Sequence, residues 1–318
     1  MPNRSQPVSA CVVTFNRSAI VGTCLHAARF ADELIVVDKS STDGTRQVAR
    51  RLADRVVTVP WSPTVEETRA HAVSLCRHDW ILLLDDDECL NPDAVRFIRR
   101  ELADPSADIY AFPLRHYILG RHDERAYYWP EHHVRLFRRG SVAFGGTVHA
   151  GMTLLSNRIM HIAADAGPCI HHLSHPDVAG WIERTNRYTG RPYRARVEGD
   201  GKDLVTFAHG RIDHWLANTR DAHADPYLQA VALLRAVYDI TDRLKTWEEM
   251  DGADGAARFR QICAEIEAAH RAQGTSRKPS RPAQRAANWL RRILHQFRSA
   301  LPPRPRAVSR PAFPHPRE

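Results

Sequence analysis

The stretch Asp79-Trp80-Ile81-Leu82-Leu83-Leu84-Asp85-Asp86-Asp87-Glu88 decides how the rest of the chain is read. Its apolar run has no polar alternation, which suits a strand buried on both faces. The run stops at four consecutive acids, and Asn91-Pro92 then opens a helix with proline at its favoured first position. The same rhythm is present upstream. Val8–Phe15 (VSACVVTF), Glu33–Asp38 (ELIVVD) and Arg55–Val59 (RVVTV) read as strands. Between them lie a helical stripe of Ile20, Val21, Cys24, Leu25 and Ala28, and an Arg-rich helix to about Leu52 entered through Ser41-Thr42-Asp43-Gly44. A helix capped by Thr64 follows, from Val65 to about Cys76. Repeated strand–helix–strand units with short connections predict an α/β fold with a mostly parallel sheet covered on both faces. Such sheets bind ligands at the carboxyl ends of their strands, where Asp38 and the Asp85–Glu88 cluster both fall.

Composition bounds the alternatives. The 318 residues are 43% hydrophobic and 26% charged, which excludes disordered, collagen-like and coiled-coil classes. No run approaches the length of a membrane-spanning helix, and the first residues lack the apolar core of a signal peptide. The six cysteines, at 11, 24, 76, 89, 169 and 263, show no CxxC spacing. That points away from a zinc ribbon or disulfide framework and towards the cytoplasm. The net charge of +8 is unevenly placed: residues 271–318 hold 12 Arg or Lys against one acid, a net of +11, leaving the first 270 residues at −3. Basicity is therefore an attachment to a slightly acidic body.

From residue 109 the pattern changes. The runs IYAFPLRHYIL, HHVRLFRR, VAFGGTVHAGM and RIMHIAA, broken by glycine and charged turns, predict antiparallel strands. Residues 176–195 read as helix, and Pro226–Leu244 as an amphipathic helix with Leu228, Val231, Leu234, Ala236, Val237 and Ile240 on one face. A short helix and polar linker are expected over 250–283. Over 284–301 an amphipathic helix sets Trp289, Leu290, Ile293, Leu294 and Phe297 beside flanking arginines. The expected division is a domain over 1–200, a helical extension over 201–270 and a basic, proline-rich tail over 271–318.

Carboxylates one residue apart, such as Asp85 and Asp87, can share a hard divalent cation. Mg²⁺ or Mn²⁺ there would offset charge on a leaving diphosphate. The plainer alternative is an acidic turn that caps the next helix. Asp38 can accept from a nucleobase N–H or a ribose hydroxyl, or it can simply cap its own turn. The histidines at 171, 172 and 175 do not form a helical HExxH, and no acid completes the set, so capping or acceptor-side hydrogen bonding suits them better than zinc. Tyr127-Tyr128-Trp129 reads equally well as a sugar-stacking surface or as core at a sheet edge.

Taken together, Thr14-Phe15-Asn16-Arg17 after the first strand, VVDKSSTDGT after the second and LLLDDDE after the fourth resemble the glycosyltransferase family 2 pattern. Later segments, WPEHHVRLFRRG, GGTVHAG, IHHLSH and KTWEE, resemble a bacterial branch of lipopolysaccharide-core glucosyltransferases. The resemblance spans about residues 8–250. It implies a GT-A-like α/β fold, a nucleotide-diphosphate sugar donor with a UDP-sugar foremost, Mg²⁺ or Mn²⁺, and inversion at the anomeric carbon. By position it assigns Thr14 and Asp38 to the nucleobase, Asp85 to ribose and metal, and Asp87 to the metal. It also puts Asn16, Arg69 and Asp86 on the donor side, and sets Arg135 against phosphate or the acceptor.

One departure bears on the chemistry. The resembling enzymes usually place Glu after their VH dipeptide as the base, whereas this chain has Val148-His149-Ala150. Alanine cannot take a proton, so His149 or Glu131 is expected to serve. The alternative is a catalytically weakened donor-binding or scaffold protein of envelope glycan assembly. A nucleotidyl or phosphoryl transferase could use the same acids, but a G-x-x-x-x-G-K-[ST] loop is absent from the sequence. The expected partners are a glycan or lipid-linked acceptor and, through 284–301, the anionic inner face of the cell membrane. Base-reading aromatics are lacking, so no nucleic acid is expected.

Overall fold

The computed structural model describes residues 5–62, 65–144, 152–190, 203–250, 252, 254–272, 288 and 289. The chain divides into two compact units, Met1–Gly252 and Ala253–Glu318. The first unit alternates strand and helix as its early sequence demands: β1 (Val8–Thr14), α1 (Val21–Ala28), β2 (Glu33–Asp38), α2 (Thr45–Leu52), β3 (Arg55–Thr58), α3 (Glu66–Leu75) and β4 (Trp80–Asp85). Then come β5 (Glu88–Leu90), α4 (Pro92–Glu101), β6 (Ile109–Ile118), β7 (Glu131–Arg138), β8 (Val142–Phe144), β9 (Met152–Leu154), β10 (Ile159–His161) and β11 (Ile170–His175). Three helices close the unit: α5 (Val178–Tyr188), α6 (Leu204–Ala217) and α7 (Pro226–Met250).

The main sheet runs β3-β2-β1-β4-β7-β6-β11-β5, with β10 paired to β6. β3, β2, β1 and β4 are mutually parallel. This mostly parallel α/β arrangement is the class expected from the sequence.

Alternate residues explain the unbroken apolar runs. Ala10, Val12, Val36, Leu82 and Leu84 pack with Val21, Leu25, Phe97 and Ile98 of α1 and α4. Their neighbours Cys11, Val13, Ile35, Val37, Ile81 and Leu83 pack on the opposite face with Ala72 of α3. Each strand thus buries both faces, so period-2 alternation is absent. Asn91 caps α4, its Oδ1 accepting from Ala94 N at 2.8 Å.

The region after residue 108 is less uniform than its sequence suggests. β7 is antiparallel to both β4 and β6. β10 and β11, however, run parallel to β6, and only β5 meets β11 antiparallel. Local patterning marks a strand but not the direction of its partner. A third apolar cluster joins Ile118 at the end of β6 to Trp181 of α5 and to Leu228, Val231 and Leu234 of α7.

In the second unit α8 (Gly255–Ala272) is longer than the short helix expected there. Its residues are exposed apart from Ala257, and Phe259 is 70% accessible. Of the expected helix 284–301 only Asn288 and Trp289 fall within the described residues, and both are helical and exposed. Among the described residues no helix is long and apolar enough to cross a membrane.

Candidate functional site

The parallel register places the loop-bearing ends of β1, β2 and β4 side by side. Thr14 pairs with Asp38, and Val13 pairs with Asp85. Three of the expected donor-side residues therefore share one sheet edge. Asp38 is fully buried; its carboxylate accepts from Ser41 N at 3.2 Å and from Arg46 Nε at 2.9 Å. The hydroxyl of Thr14 is buried beside it with no hydrogen-bond partner among the described residues. An orphaned hydroxyl at a strand mouth is costly unless a ligand completes it.

The loop after β1 is tied to the loop after β2 through Asn16. Its φ of 52° lies in the left-handed region, which asparagine tolerates well. Its N–H donates to Ser41 Oγ at 2.9 Å, and its Oδ1 accepts from Thr42 N at 2.8 Å. Asn16 therefore shapes the edge. Arg17, next along, donates to Asp86 Oδ1 at 3.2 Å and to Asp87 Oδ2 at 3.1 Å.

The four adjacent acids are balanced by four guanidiniums. Asp85 receives Arg69 Nη2 at 2.6 Å on both oxygens, with Arg135 Nη2 at 3.4 Å. Glu88 takes a two-pronged contact from Arg135, 2.6 Å at each end, and both groups are buried. Arg17 joins Asp86 to Asp87, and Arg184 of α5 lies 3.6 Å from Asp87 Oδ2. The mutual repulsion of four adjacent acids is thus relieved by fixed arginines.

Their charges divide the carboxyls. Burial would raise Asp85, but Arg69 and then Arg135 hold it well below the usual carboxylate range. Asp86 is pushed up to about 7 by burial and by the charge of Asp87. Burial likewise opposes Asp87, yet His172 and Arg17 lower it.

His172 is a participant that the sequence did not assign to this cluster. Its Nε2 lies 3.5 Å from Asp87 Oδ1, and its Nδ1 lies 2.6 Å from His116 Nδ1. His116 Nε2 in turn lies 3.0 Å from Glu131 Oε2. The row therefore runs Glu131–His116–His172–Asp87, with a carboxylate at each end. The two rings thus lie between two acids, in contact with each other through their Nδ1 atoms. Burial opposes a charge on both rings, but Asp87 raises His172 whereas His116 stays lowered. The only signal in the sequence was the IHHLSH run itself.

Glu131 opens β7 and is 50% exposed at its side chain. Hydrogen bonding by His116 and His133 holds its carboxyl well below the ordinary range. It lines a cavity of about 310 Å³ that also includes His116, His172, Trp181 and Arg184. Among the described residues Glu131 is the one carboxylate on that lining. His149, the other base candidate, lies outside the described residues.

Among the described residues no three His, Cys, Asp or Glu side chains are gathered as a metal cage. Asp85 and Asp87 nevertheless offer the carboxylate oxygens that suit Mg²⁺ or Mn²⁺.

Residues 9–158 match the family described as Glycosyl transferase family 2. An uncharacterized glycosyltransferase of Rickettsia conorii is 27% identical over 212 residues, covering 64% of this chain and 74% of that one. The lipopolysaccharide core biosynthesis glycosyltransferase LpsC of Rhizobium meliloti is 29% identical over 160 residues, covering 46% of this chain and 57% of its own. Among solved structures, TarS of S. aureus aligns over 67% of this chain with 17% identity and a TM-score of 0.41. This chain spans 44% of that longer protein.

Proposed function

We infer from the family 2 glycosyltransferase domain at residues 9–158 that this chain moves a sugar from a nucleotide-diphosphate donor, with a UDP-sugar foremost, onto a cell-envelope glycan. The observation that carries the reading is the gathering of Thr14, Asp38 and Asp85 at adjacent strand ends, with Asp87 one turn further on. Asp38 and the orphaned Thr14 hydroxyl would meet the nucleobase, and Asp85 the ribose. Asp87, with Asp85, would hold the divalent ion. Such an ion supplies positive charge against the leaving diphosphate. Arg17 stands beside the same carboxylate with N–H donors for phosphate oxygens.

On the acceptor side Glu131 is the carboxylate in place. As the acceptor oxygen bonds to the anomeric carbon from behind, the bond from that carbon to the diphosphate breaks and the acceptor proton passes to Glu131. That sequence gives inversion. Its low proton affinity makes it a modest base, so its part is to orient the hydroxyl and accept the proton late. An envelope acceptor follows the likeness to LpsC, whose name assigns it to lipopolysaccharide core biosynthesis. The tail from residue 271, with its net +11, would hold the chain against an anionic membrane surface on the cytoplasmic side.

The deciding experiment is calorimetric binding of a panel of nucleotide diphosphates and nucleotide sugars, with and without Mn²⁺. One nucleotide should bind selectively and with metal dependence, and Asp87→Ala should abolish the metal-dependent part. Glu131→Gln should spare binding and lower turnover. Normal turnover in Glu131→Gln would move the base to His149. Donor binding without any turnover would favour the scaffold reading raised by Ala150. Loss of residues 284–318 should release the protein from anionic liposomes.

A further inference from the structure

The cavity of about 310 Å³ beside Glu131 has walls that the donor chemistry leaves unused. Its outer side comes from α5 and α7, beyond the matched family segment. Trp181 and Tyr188 come from α5, and Tyr238 from α7. Tyr127 and Tyr128 close the side nearest β7. Aromatic walls of this kind stack on the C–H face of a sugar ring.

Two guanidiniums on the lining share their counter-ions. Arg184 lies 3.6 Å from Asp87, a carboxylate that Arg17 already engages at 3.1 Å. Among the described residues Arg184 has no hydrogen-bond acceptor. Arg235 lies 2.6 Å from Asp239 Oδ1, but Asp239 Oδ2 is bound by Arg211 and by Trp215 Nε1, each at 2.7 Å. The Arg235 guanidinium is fixed over the rings of Trp215 and Tyr238, at 4.8 and 4.7 Å. On the lining itself Arg184 and Arg235 stand against one carboxylate, Glu131, so the cavity wall carries surplus positive charge, with Arg235 held in a rigid frame.

We propose that this cavity is the subsite for an acceptor sugar bearing an anionic group, a phosphate or a carboxylate. The proposal rests on the glycosyl-transfer reading and names its acceptor class. The ring would lie against Trp181 and Tyr238, its anion would take the N–H donors of Arg184 and Arg235, and a hydroxyl would face Glu131. Specificity for the acceptor would then reside in α5 and α7.

The test is calorimetry on the full chain with UDP held at saturation. The probes are glucose, glucose 6-phosphate, glucuronate and inorganic phosphate. At least one anionic sugar should bind about tenfold or more tightly than glucose, as an added charge-assisted contact provides. Which one does so separates phosphate from carboxylate. Arg235→Gln and, separately, Arg184→Gln should each erase most of that preference, and Tyr238→Ala should weaken every sugar. Thermal melts confirm that each variant is folded, and Arg235→Gln should leave UDP affinity within about twofold, since it lies outside the donor edge. Equal binding of glucose overturns the proposal. So does a preference that survives both arginine variants, binding of inorganic phosphate as tight as that of glucose 6-phosphate, or no sugar binding at all. If UDP itself fails to bind the wild type, the donor reading fails on its own, and the sugar titrations are then run without UDP.

Discussion

The carboxyl edge of β1, β2 and β4 and the cavity between α5 and α7 use arginine in opposite ways. At the edge, four acids in a row meet four guanidiniums, and the most buried of these pairs joins Glu88 to Arg135. At the cavity, Arg184 and Arg235 face one lining carboxylate, Glu131, and aromatic rings hold Arg235 in place. The first arrangement is balanced and fixes its carboxylates for a ligand to meet. The second is left in surplus, which is what an anion-binding wall requires. Breaking the balance should therefore cost stability at the edge and selectivity at the cavity.

The largest effect is expected at the buried pair. Glu88→Ala leaves the Arg135 guanidinium buried without its main partner, and such a loss typically costs about 3–5 kcal/mol. Urea denaturation should show that loss, whereas Arg235→Gln at the half-exposed cavity wall should move the midpoint far less. If Glu88→Ala is tolerated, the edge is not held by its ion pairs. Next comes Asp38→Asn, which removes the charge that a nucleobase or ribose donor would meet. Loss of one charge-assisted hydrogen bond predicts nucleotide binding weaker by roughly 10- to 100-fold. Calorimetry with UDP checks this, and unchanged affinity would return Asp38 to the role of a turn cap for Ser41 and Arg46.

The two regions also differ in how far the sequence alone reveals them. The edge was legible because Asp38 and Asp85 end strands within the first 90 residues, and parallel pairing carries those ends to one side. Thr14, Asp38 and Asp85 needed only the strand–helix rhythm to be placed together. The cavity was not legible in that way. It joins Glu131 of β7, His172 of β11, Trp181 of α5 and Arg235 of α7, whose spacing follows no local period. The direction of β11 relative to β6, which brings His172 against His116, leaves no trace in hydrophobic pattern. The same limit applies to Arg135. Its RLFR context suggested a phosphate or acceptor contact, whereas its guanidinium is engaged by Glu88 and Asp85.

A smaller test sharpens the cavity side. Trp181 is buried, and its indole N–H donates to Leu234 O at 3.0 Å, fastening α5 to α7. Trp181→Phe keeps an aromatic wall but drops that bond, for about 1 kcal/mol. Chemical denaturation should register the loss, while anionic-sugar binding should weaken only modestly if stacking is the main contribution of this ring.

The smallest effect belongs to Asp43, which closes the loop after β2 onto the loop after β1. Burial alone would raise its carboxyl, but hydrogen bonds from the Thr45 hydroxyl and amide and from Ser18 bring it down to about 2. The folded state therefore binds this proton less readily than the unfolded chain, whose carboxyl titrates near 4. The resulting stability is fully present above that value and is lost as pH falls from about 4 towards 2. Asp43→Asn removes the charge at every pH. Wild type should therefore be the more stable protein at pH 7, and the gap should narrow as acid is added across that window. Denaturation midpoints for the two proteins between pH 7 and 3 measure it, and a gap independent of pH would mean that the loop is closed by hydrogen-bond geometry and not by the charge of Asp43.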